Sequence, residues 1–310
     1  MTSRPRVSVV MATRNRAHLV AEAVASILQQ SERDLELIIV DDCSDDGTPE
    51  VLHELARSDP RVIPLRVPTQ RGPGAARNFG VAGARADYVA ILDDDDLAVV
   101  DRIATQCAEL DEDQSIGLVF SSVVWLTDHG EIVFPGIVAR GAFPVAPDEI
   151  FQLLLLESNK IPNTTIVART SLLRDNPYPD LTWGEDWLWV LQLTARGVRM
   201  RAISRPLVKV RRGGSHDYLM RKRASAFASQ HQVLRRLREW LSKEKINRFD
   251  HLFPHALSNQ LTREARHWGH MRGIGLCLRA VATWPPNPLA YRTLVEITQR
   301  GWRQLMRRRQ

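Results

Sequence analysis

Four consecutive aspartates are the residues of this sequence most suited to chemistry. Asp93–Asp96 come directly after the apolar run Tyr88–Leu92. Side chains alternate in direction along an extended chain, so we expect Asp93 and Asp95 to point one way and the other two the opposite way. Carboxylates this close repel one another unless a cation intervenes, and oxygen ligands suit Mg²⁺ or Mn²⁺. The run therefore predicts a divalent metal site, with a solvated turn or a helix cap as the competing interpretation.

A second acidic pair, Asp41 and Asp42, follows the apolar run Leu35–Val40. A carboxylate at the end of such a strand accepts hydrogen bonds from a ribose or a base edge. Aspartate also stabilises tight turns through its own backbone, which is the competing interpretation. The pair alone leaves both interpretations open.

Arg77 follows a glycine-rich turn, Gly72-Pro73-Gly74. Its guanidinium is suited either to neutralising a nucleotide phosphate or to pairing with the aspartate run. No Lys followed by Ser or Thr comes after these glycines, which excludes a nucleotide-hydrolase phosphate loop. No G-x-G-x-x-G follows the first predicted strand either, which argues against dinucleotide binding.

Two more acids, Glu185 and Asp186, lie among Trp183, Trp187 and Trp189. At the start of a helix the acids would complement the helix dipole. In a partly dry pocket a carboxylate would serve as a general base, and the aromatic rings would stack on a sugar. The sequence alone favours neither interpretation.

A histidine ends the segment Arg211–His216, which also carries two arginines and two glycines. Cations on a glycine hinge are suited to closing over a diphosphate. His216 is therefore a candidate metal ligand, and the competing interpretation is an exposed histidine without a function.

The elements that must position these residues alternate between strand and helix over the first hundred residues. Apolar runs predict four strands, at residues 7–12, 35–40, 62–67 and 88–92. Helical spacing between them predicts an α/β fold, with a mostly parallel sheet covered by helices on both faces. Because ligands bind beyond the carboxyl ends of such strands, we expect Thr13–Arg16, Asp41–Asp46 and Asp93–Asp96 to converge in space.

The alternation changes after residue 115. The patterns predict strands at residues 116–126, 163–168 and 205–210. They predict helices at residues 148–157 and 183–195. From residue 217 onward they predict helices only. We therefore predict a first domain over residues 1–216 and a helical region over residues 217–310.

Charge divides the chain at the same point. Residues 1–216 hold 23 Lys and Arg against 30 Asp and Glu, whereas residues 217–310 hold 19 against six. The basic region predicts an anionic partner or a solvated helical face. Its last segment, Arg300–Arg309, is amphipathic on a helix, so it predicts either attachment to a membrane surface or docking on the preceding helices.

The rest of the composition is that of a soluble enzyme. The three cysteines, Cys43, Cys107 and Cys277, are odd in number and scattered, which favours a reducing cytoplasm. No apolar run approaches the roughly 20 residues of a membrane span, and we expect no signal peptide.

Taken together, residues 6–216 resemble the family 2 glycosyltransferases of the bacterial type, which have a GT-A fold. The resemblance rests on five segments in order, Val7–Arg16, Ile38–Thr48, Gly74–Asn78, Tyr88–Asp96 and Gly184–Asp186. Each segment is modest alone, and the ordered set is highly specific. It implies a nucleotide-sugar-binding fold with a Rossmann-like sheet, followed here by the helical C-terminal region.

The resemblance implies a nucleotide-binding role for residues beyond the first two strands. Ala12, Thr13, Arg14 and Asp42 match the positions where the family holds the uracil and ribose of a UDP-sugar. Arg77 matches an arginine near the nucleotide.

The resemblance also implies the groups that act on the reacting bond. Asp93, Asp94 and Asp95 match the D-x-D motif at the donor diphosphate, with Asp95 as the metal ligand. Asp186 matches the catalytic base, and Glu185 beside it is the next candidate.

The function implied is an inverting, metal-dependent glycosyltransferase that uses Mn²⁺ or Mg²⁺ and a nucleotide-sugar donor, most often a UDP-sugar. Its acceptor would be a glycan, a lipid-linked saccharide or a small molecule, and we expect no nucleic-acid partner. The expected location is the cytoplasm, with attachment to the inner face of the plasma membrane or homodimerisation through the C-terminal helices as further interpretations.

Two alternatives remain. A sugar nucleotidyltransferase also combines a nucleotide fold with acidic metal ligands, but it needs a basic glycine-rich loop after the first strand, and Thr13–Arg16 contains no glycine. The second alternative is a non-catalytic scaffold whose basic tail binds a membrane or a protein. The intact Asp95 and Asp186 argue against it.

Overall fold

The computed structural model describes residues 4–127, 130–133, 146–157, 159–211, 223–265, 270–283, 287, 289–290 and 292–297. The chain divides into two compact units. The first comprises Met1–Ile150 and Lys160–Arg221, and the second comprises Phe151–Asn159 and Lys222–Gln310. The domain boundary that we placed at residue 216 stays a prediction.

The first unit is built on one mixed sheet, which has nine strands in the described part of the chain. The strands are β1 Val7–Thr13, β2 Leu35–Asp41, β3 Val62–Arg66, β4 Tyr88–Ile91, β5 Leu97–Ala98, β6 Ile116–Thr127, β7 Gly130–Val133, β8 Val167–Arg169 and β9 Arg199–Arg211. They follow the order β3-β2-β1-β4-β8-β6-β9-β5, with β7 beside β6. The first four strands are parallel to one another, and β8 joins β4 in the antiparallel sense.

Helices connect these strands, most of them where the hydrophobic spacing predicts a helix. They are α1 Val20–Leu28, α2 Thr48–Ser58, α3 Pro73–Gly83, α4 Arg102–Glu112, α5 Pro147–Glu157, α6 Thr170–Asp175 and α7 Glu185–Ala195. The central strands are apolar almost throughout because both of their faces are covered. Val9, Leu37 and Ile39, for example, are fully buried.

A glycine lets α3 lie close to the sheet. A Cβ atom on Gly80 would lie 2.6 Å from Val10 Cγ1 and 3.1 Å from Val40 Cγ2, on β1 and β2. Only a residue without a side chain fits this approach, which brings the first turn of α3 near the carboxyl ends of the parallel strands.

The predicted strand at residues 163–168 is wrong in its first half. Asn163–Thr165 form a 3₁₀ turn, and only Val167–Arg169 pair with the sheet. The turn closes because the carbonyl of Pro162 accepts hydrogen bonds from both the backbone N–H (3.0 Å) and the hydroxyl (2.8 Å) of Thr165. A threonine side chain that can bond locally thus outweighs its preference for extended structure.

The second unit is helical in its described part, as predicted. Its helices are α8 Arg223–Lys243, α9 Phe253–Ala265 and α10 His270–Thr283. A small core holds α9 and α10 together, with Leu261, Ala265 and Cys277 among its buried members. None of the described helices is long and apolar enough to cross a membrane. Residues 298–310 lie outside the described residues, so the amphipathic end of the chain stays a prediction.

Candidate active site

Polar segments that follow β1, β2 and β4 meet at one edge of the sheet. The backbone N–H of Asn15 donates to Ser44 Oγ over 2.9 Å, which joins the first segment to the second. The guanidinium of Arg16 reaches the third, with Nε 3.7 Å from Asp94 Oδ1 and Nη2 4.0 Å from Asp95 Oδ2. The predicted convergence of these segments is therefore confirmed.

The predicted nucleotide-binding residues after β1 differ in exposure. Thr13 is buried, Ala12 is partly buried and Arg14 is exposed to solvent. The carbonyl of Thr13 accepts the N–H of Asp42 over 2.9 Å, so the ends of β1 and β2 remain paired beyond the strands. Asn15 then adopts the left-handed conformation, with φ of 55°, and turns the chain toward α1.

Asp42 anchors the loop that leads into α3. Its Oδ1 and Oδ2 accept the backbone N–H groups of Arg71 and Gly72, each over 2.9 Å, and the side chain is almost fully buried. Its neighbour Asp41 accepts the backbone N–H of Ser44 over 2.9 Å, which stabilises the turn in agreement with the turn interpretation, and it also accepts Arg66 Nη1 over 2.7 Å. The binding of a ribose by Asp42 stays a prediction.

The four aspartates after β4 form a turn, in which the N–H of Asp96 donates to the carbonyl of Asp93 over 3.2 Å, so the extended arrangement that we expected is wrong even though burial alternates along the run. Asp94 and Asp96 are buried, whereas Asp93 and Asp95 are partly exposed. Burial, and then the negative charge of Asp95, raise the pKa of Asp94 to about 7. Burial and the charges of Asp93 and Asp95 likewise raise the pKa of Asp96 well above its usual value. Burial and mutual repulsion therefore favour the protonated forms of Asp94 and Asp96 in the segment Asp93–Asp96, which we call the acidic loop.

A buried arginine near the acidic loop, Arg102, was not predicted from the sequence. Arg102 is fully buried in α4 and donates through Nη2 to the carbonyl of Ile91 over 2.7 Å and through Nε to Gln106 Oε1 over 3.0 Å. Burial lowers its pKa to about 10, against the charges of Asp96 and Asp93. The available signal was the spacing of Arg102 and Gln106, which places both on the apolar face of α4.

Arg77 joins the acidic loop to the start of α7. Its Nη2 donates to Asp93 Oδ1 and its Nη1 donates to Glu185 Oε1, both over 2.9 Å. The side chains of Arg77 and Glu185 are each 8% exposed. Burial lowers the pKa of Arg77, but the charges of Asp93 and Glu185 outweigh it, so the pKa lies above its usual value. Of the two interpretations, pairing with carboxylates is the one that the structure shows.

Tyr178 and Asn78 support this arrangement, and neither was given a role from the sequence. The Tyr178 ring lies between Arg77, whose Cζ is 5.6 Å from its centroid, and Trp189, whose ring is stacked at 4.5 Å. Its hydroxyl donates to Asn163 Oδ1 over 2.8 Å. The side-chain amide of Asn78 accepts the N–H of Tyr178 over 2.8 Å and donates to its carbonyl over 2.9 Å.

The two acids at the start of α7 have different surroundings. Gly184 precedes them in the left-handed conformation, with φ of 73°, which glycine adopts readily. Glu185 is buried against Arg77, while Asp186 is partly exposed and accepts the N–H of Trp187 over 2.8 Å. Burial, and then the charge of Asp186, raise the pKa of Glu185 to about 7. Asp186 is thus the acid that is more open to a substrate.

The acidic loop offers the oxygen donors that a hard divalent cation prefers. Among the described residues, no group of three or more His, Cys, Asp or Glu is arranged to hold a metal ion. Mg²⁺ commonly takes one or two carboxylates and completes its shell with phosphate oxygens and water, so the partly exposed Asp95 fits such an ion. His216 lies outside the described residues.

Comparison with known proteins extends the sequence resemblance. The sequence model of the family described as Glycosyl transferase family 2 matches residues 8–157. An uncharacterised glycosyltransferase of Methanocaldococcus jannaschii is 29% identical over 221 residues, which are 70% of this chain and 74% of that protein.

Two solved structures share the fold. S. aureus TarS 1–349 in complex with UDP-GlcNAc aligns with a TM-score of 0.61 at 20% identity, over 96% of this chain and 92% of that chain. The mannosyltransferase PcManGT from Pyrobaculum calidifontis, in complex with GDP-Man and Mn²⁺, aligns with a TM-score of 0.51 at 22% identity, over 96% and 85%. At these identities the likeness shows the fold alone, and it confirms the fold class predicted from the sequence.

Proposed function

Because this chain is a family 2 glycosyltransferase with a GT-A fold, we propose that it transfers a sugar from a UDP-sugar to an acceptor hydroxyl with inversion of configuration. One observation carries the proposal. Arg77 holds a carboxylate of the acidic loop and a carboxylate at the start of α7 on the same guanidinium. The acidic loop, which we assign to the donor diphosphate, and the helix start that carries the candidate base are thereby brought to one site, as an inverting displacement requires.

The donor is proposed from the neighbours in structure. The TarS structure holds UDP-GlcNAc and has the higher TM-score of 0.61, whereas the PcManGT structure holds GDP-Man and has a TM-score of 0.51. The segments assigned to the base and ribose are those around Thr13 and Asp42. We assign the acceptor to the class of glycan, lipid-linked saccharide or small-molecule hydroxyls.

In the proposed reaction, Asp186 takes the proton of the acceptor hydroxyl. The acceptor oxygen forms a bond to the anomeric carbon while the bond from that carbon to the diphosphate oxygen breaks, and the electron pair leaves with the diphosphate. Displacement from the opposite face inverts the anomeric configuration. Such a base contributes about 10²- to 10⁴-fold to the rate.

The acidic loop and Arg16 are assigned to the leaving group. A divalent cation held by Asp95, with His216 as a second candidate ligand, would neutralise charge on the departing diphosphate. Arg16, 24% exposed beside Asp94 and Asp95, supplies a positive charge from the protein itself. The carboxylates of the acidic loop would bind the cation, and Arg16 would bind the anionic diphosphate beside it.

The C-terminal segment is assigned to the membrane surface. Arg300–Arg309 contains five arginines around Trp302, Leu305 and Met306. A basic amphipathic helix of this kind binds anionic lipid through its arginines and buries its apolar side shallowly. A lipid-linked acceptor would be encountered at that surface. If the protein did not bind lipid, the segment would instead be assigned to docking within the protein or to formation of a homodimer.

The experiment that tests the function is a donor panel on the whole chain. UDP-, GDP- and dTDP-sugars are incubated with Mn²⁺ or Mg²⁺, and release of the nucleoside diphosphate is measured with and without a mixture of sugar acceptors. We expect a UDP-sugar to be turned over and UDP to raise the melting temperature. Nucleotide release from none of the donors, without any thermal shift, would favour the scaffold. Transfer of a nucleotide to a sugar phosphate would favour the nucleotidyltransferase.

A further inference from the structure

The geometry points to Arg77 as a positioning residue that sets the separation between the acidic loop after β4 and the candidate base on α7. The inference rests on the proposed function and deepens it, because it assigns a separate task to a residue that the sequence resemblance places near the nucleotide. Tyr178, which no sequence pattern singled out, and Asn78, to which the resemblance gives no role, support Arg77 from neighbouring positions.

The link is rigid because a guanidinium is planar. Nη1 and Nη2 are fixed relative to each other, and each makes one hydrogen bond of 2.9 Å, to Glu185 and to Asp93 respectively. The two carboxylates therefore cannot move apart without the loss of at least one charge-assisted bond. Asp186 follows Glu185 directly, so the position of the proposed base depends on this link.

Neighbouring contacts fix Arg77 itself. Tyr178 lies under its guanidinium at 5.6 Å and is backed by Trp189 at 4.5 Å. Asn78, the next residue on α3, binds the backbone N–H and carbonyl of Tyr178 over 2.8 and 2.9 Å. Two adjacent residues of α3 thus hold both the loop before α7 and the first residue of that helix.

Burial and charge argue that Arg77 acts within the protein. Its side chain is 8% exposed, and two carboxylates already match its positive charge. A phosphate would have to displace one of them, and a displaced Glu185, itself 8% exposed, would be left as a buried carboxyl group without its hydrogen-bond partner. Contact with a diphosphate is accordingly assigned to the partly exposed Arg16.

The test separates positioning from nucleotide binding. For Arg77→Lys, which keeps the charge but loses the planar fork, we measure the Kd of UDP with Mn²⁺ by calorimetry, and kcat and donor KM by UDP release. Misplacement of a catalytic group by about 1 Å costs on the order of 10² in rate. We expect kcat to fall on the order of 10²-fold while the UDP Kd stays within about twofold, which is a split that a phosphate ligand would not produce.

The matched control is Arg85→Lys. Arg85 lies just beyond the other end of α3, and its Nε is 2.7 Å from Glu36 Oε2 in an ion pair outside the site. We expect this variant to keep the wild-type kcat. Asn78→Ser is the second test variant, and it should lower kcat without changing the UDP Kd even if Arg77→Lys fails to fold.

A double-mutant cycle completes the test. If Arg77 acts through Glu185, the losses in kcat of Arg77→Lys and Glu185→Gln will be less than multiplicative when combined, because both break one link. A fall in UDP affinity equal to the fall in kcat, or full kcat in both Arg77→Lys and Asn78→Ser, would overturn the inference. Either result in an active wild-type enzyme leaves the proposed function standing, whereas a wild type that is inactive on every donor removes that function itself.

Discussion

The side chain of Glu185 lies against the space that a side chain on Gly74 would occupy. A Cβ atom added to Gly74 would lie 2.9 Å from Glu185 Cγ and 3.3 Å from Tyr178 Cβ. Gly74 is in the first turn of α3, so the absence of a side chain there allows α3 and the start of α7 to approach each other.

A methyl group at this contact should therefore disturb the site. Gly74→Ala is expected to displace Glu185 and to lower kcat, with a loss of about 1–3 kcal/mol in the free energy of unfolding from overpacking. Urea denaturation and UDP-release kinetics measure the two effects. Gly83→Ala is the control at the end of the same helix, where a Cβ atom meets only Leu65 Cδ1 at 3.8 Å, and it should be neutral or stabilising. Equal behaviour of the two variants would contradict this account.

Stability should fall as the pH rises through the range in which Glu185 titrates. Its pKa is raised from about 4.5 to about 7 by burial and by Asp186, so the folded protein holds a proton that the unfolded chain has already released. The proton on Glu185 therefore contributes at most about 3 kcal/mol to the free energy of unfolding. This contribution is complete below about pH 4.5 and is lost as the pH rises through about 7. Glu185→Gln should remove this loss.

The measurement is urea denaturation at pH 5 and pH 8 without divalent ions. The relevant quantity is the difference in pH dependence between Glu185→Gln and wild type, because other groups titrate in both proteins. Asp180→Asn, at an exposed carboxyl five residues before Glu185, is the control and should keep the wild-type dependence. An unchanged slope in Glu185→Gln would show that Glu185 is ionised in the folded protein throughout this range.

The proposed base can be tested by an isosteric change. Asp186→Asn keeps the size of the side chain but cannot take a proton, so turnover should fall by about 10²- to 10⁴-fold. The Kd of UDP should stay close to wild type because Asp186 acts on the acceptor. Asp180→Asn again serves as the control. Substantial turnover in Asp186→Asn would show that another group is the general base, and Glu185 would be the next candidate.

Removal of the metal should weaken donor binding. EDTA is expected to abolish turnover by wild type, and Asp95→Ala should lose the Mn²⁺ dependence of UDP binding in calorimetry. Asp95 is partly exposed, so its removal should leave the fold intact, as judged by circular dichroism. Full activity in EDTA after dialysis would show that the reaction needs no divalent ion.

The basic end of the chain should bind anionic vesicles. Full-length protein is compared with a variant in which Arg300, Arg303, Arg307, Arg308 and Arg309 are replaced by Gln. Each arginine near the surface contributes about 1 kcal/mol toward anionic lipid, and the interaction is screened by salt. Co-sedimentation should therefore weaken at high salt and disappear in the variant. Equal sedimentation of both proteins would assign the segment to packing or to a dimer.

Local patterns in the sequence were sufficient for much of the fold. The parallel strands β1 to β4 were predictable because a continuous apolar run depends only on neighbouring residues. The convergence of Asn15, Arg16 and the acidic loop was also predictable, since the carboxyl ends of parallel strands share one edge. The turn at Asp93–Asp96 was not expected, because its hydrogen bond from the Asp96 N–H to the Asp93 carbonyl leaves no apolar pattern.

Partners that are distant in sequence were not predictable in the same way. Arg77 and Glu185 are 108 positions apart, and either interpretation of Arg77 was consistent with its local sequence. Arg102 was missed because an arginine in an amphipathic helix usually lies in solvent. The turn at Asn163–Thr165 was read as a strand because β-branched residues favour strands until a local hydrogen bond intervenes.

The buried Arg102 has a consequence for how the protein acquires its cation. A guanidinium near the acidic loop is a counter-ion that the chain carries from the moment it folds, and the charges of Asp96 and Asp93 act on it. Many small metal-binding domains, by contrast, do not fold without their ion, because metal binding supplies the free energy of folding. Here the ion should be exchangeable: chelation and reloading are expected to switch activity off and on in a protein that stays native throughout.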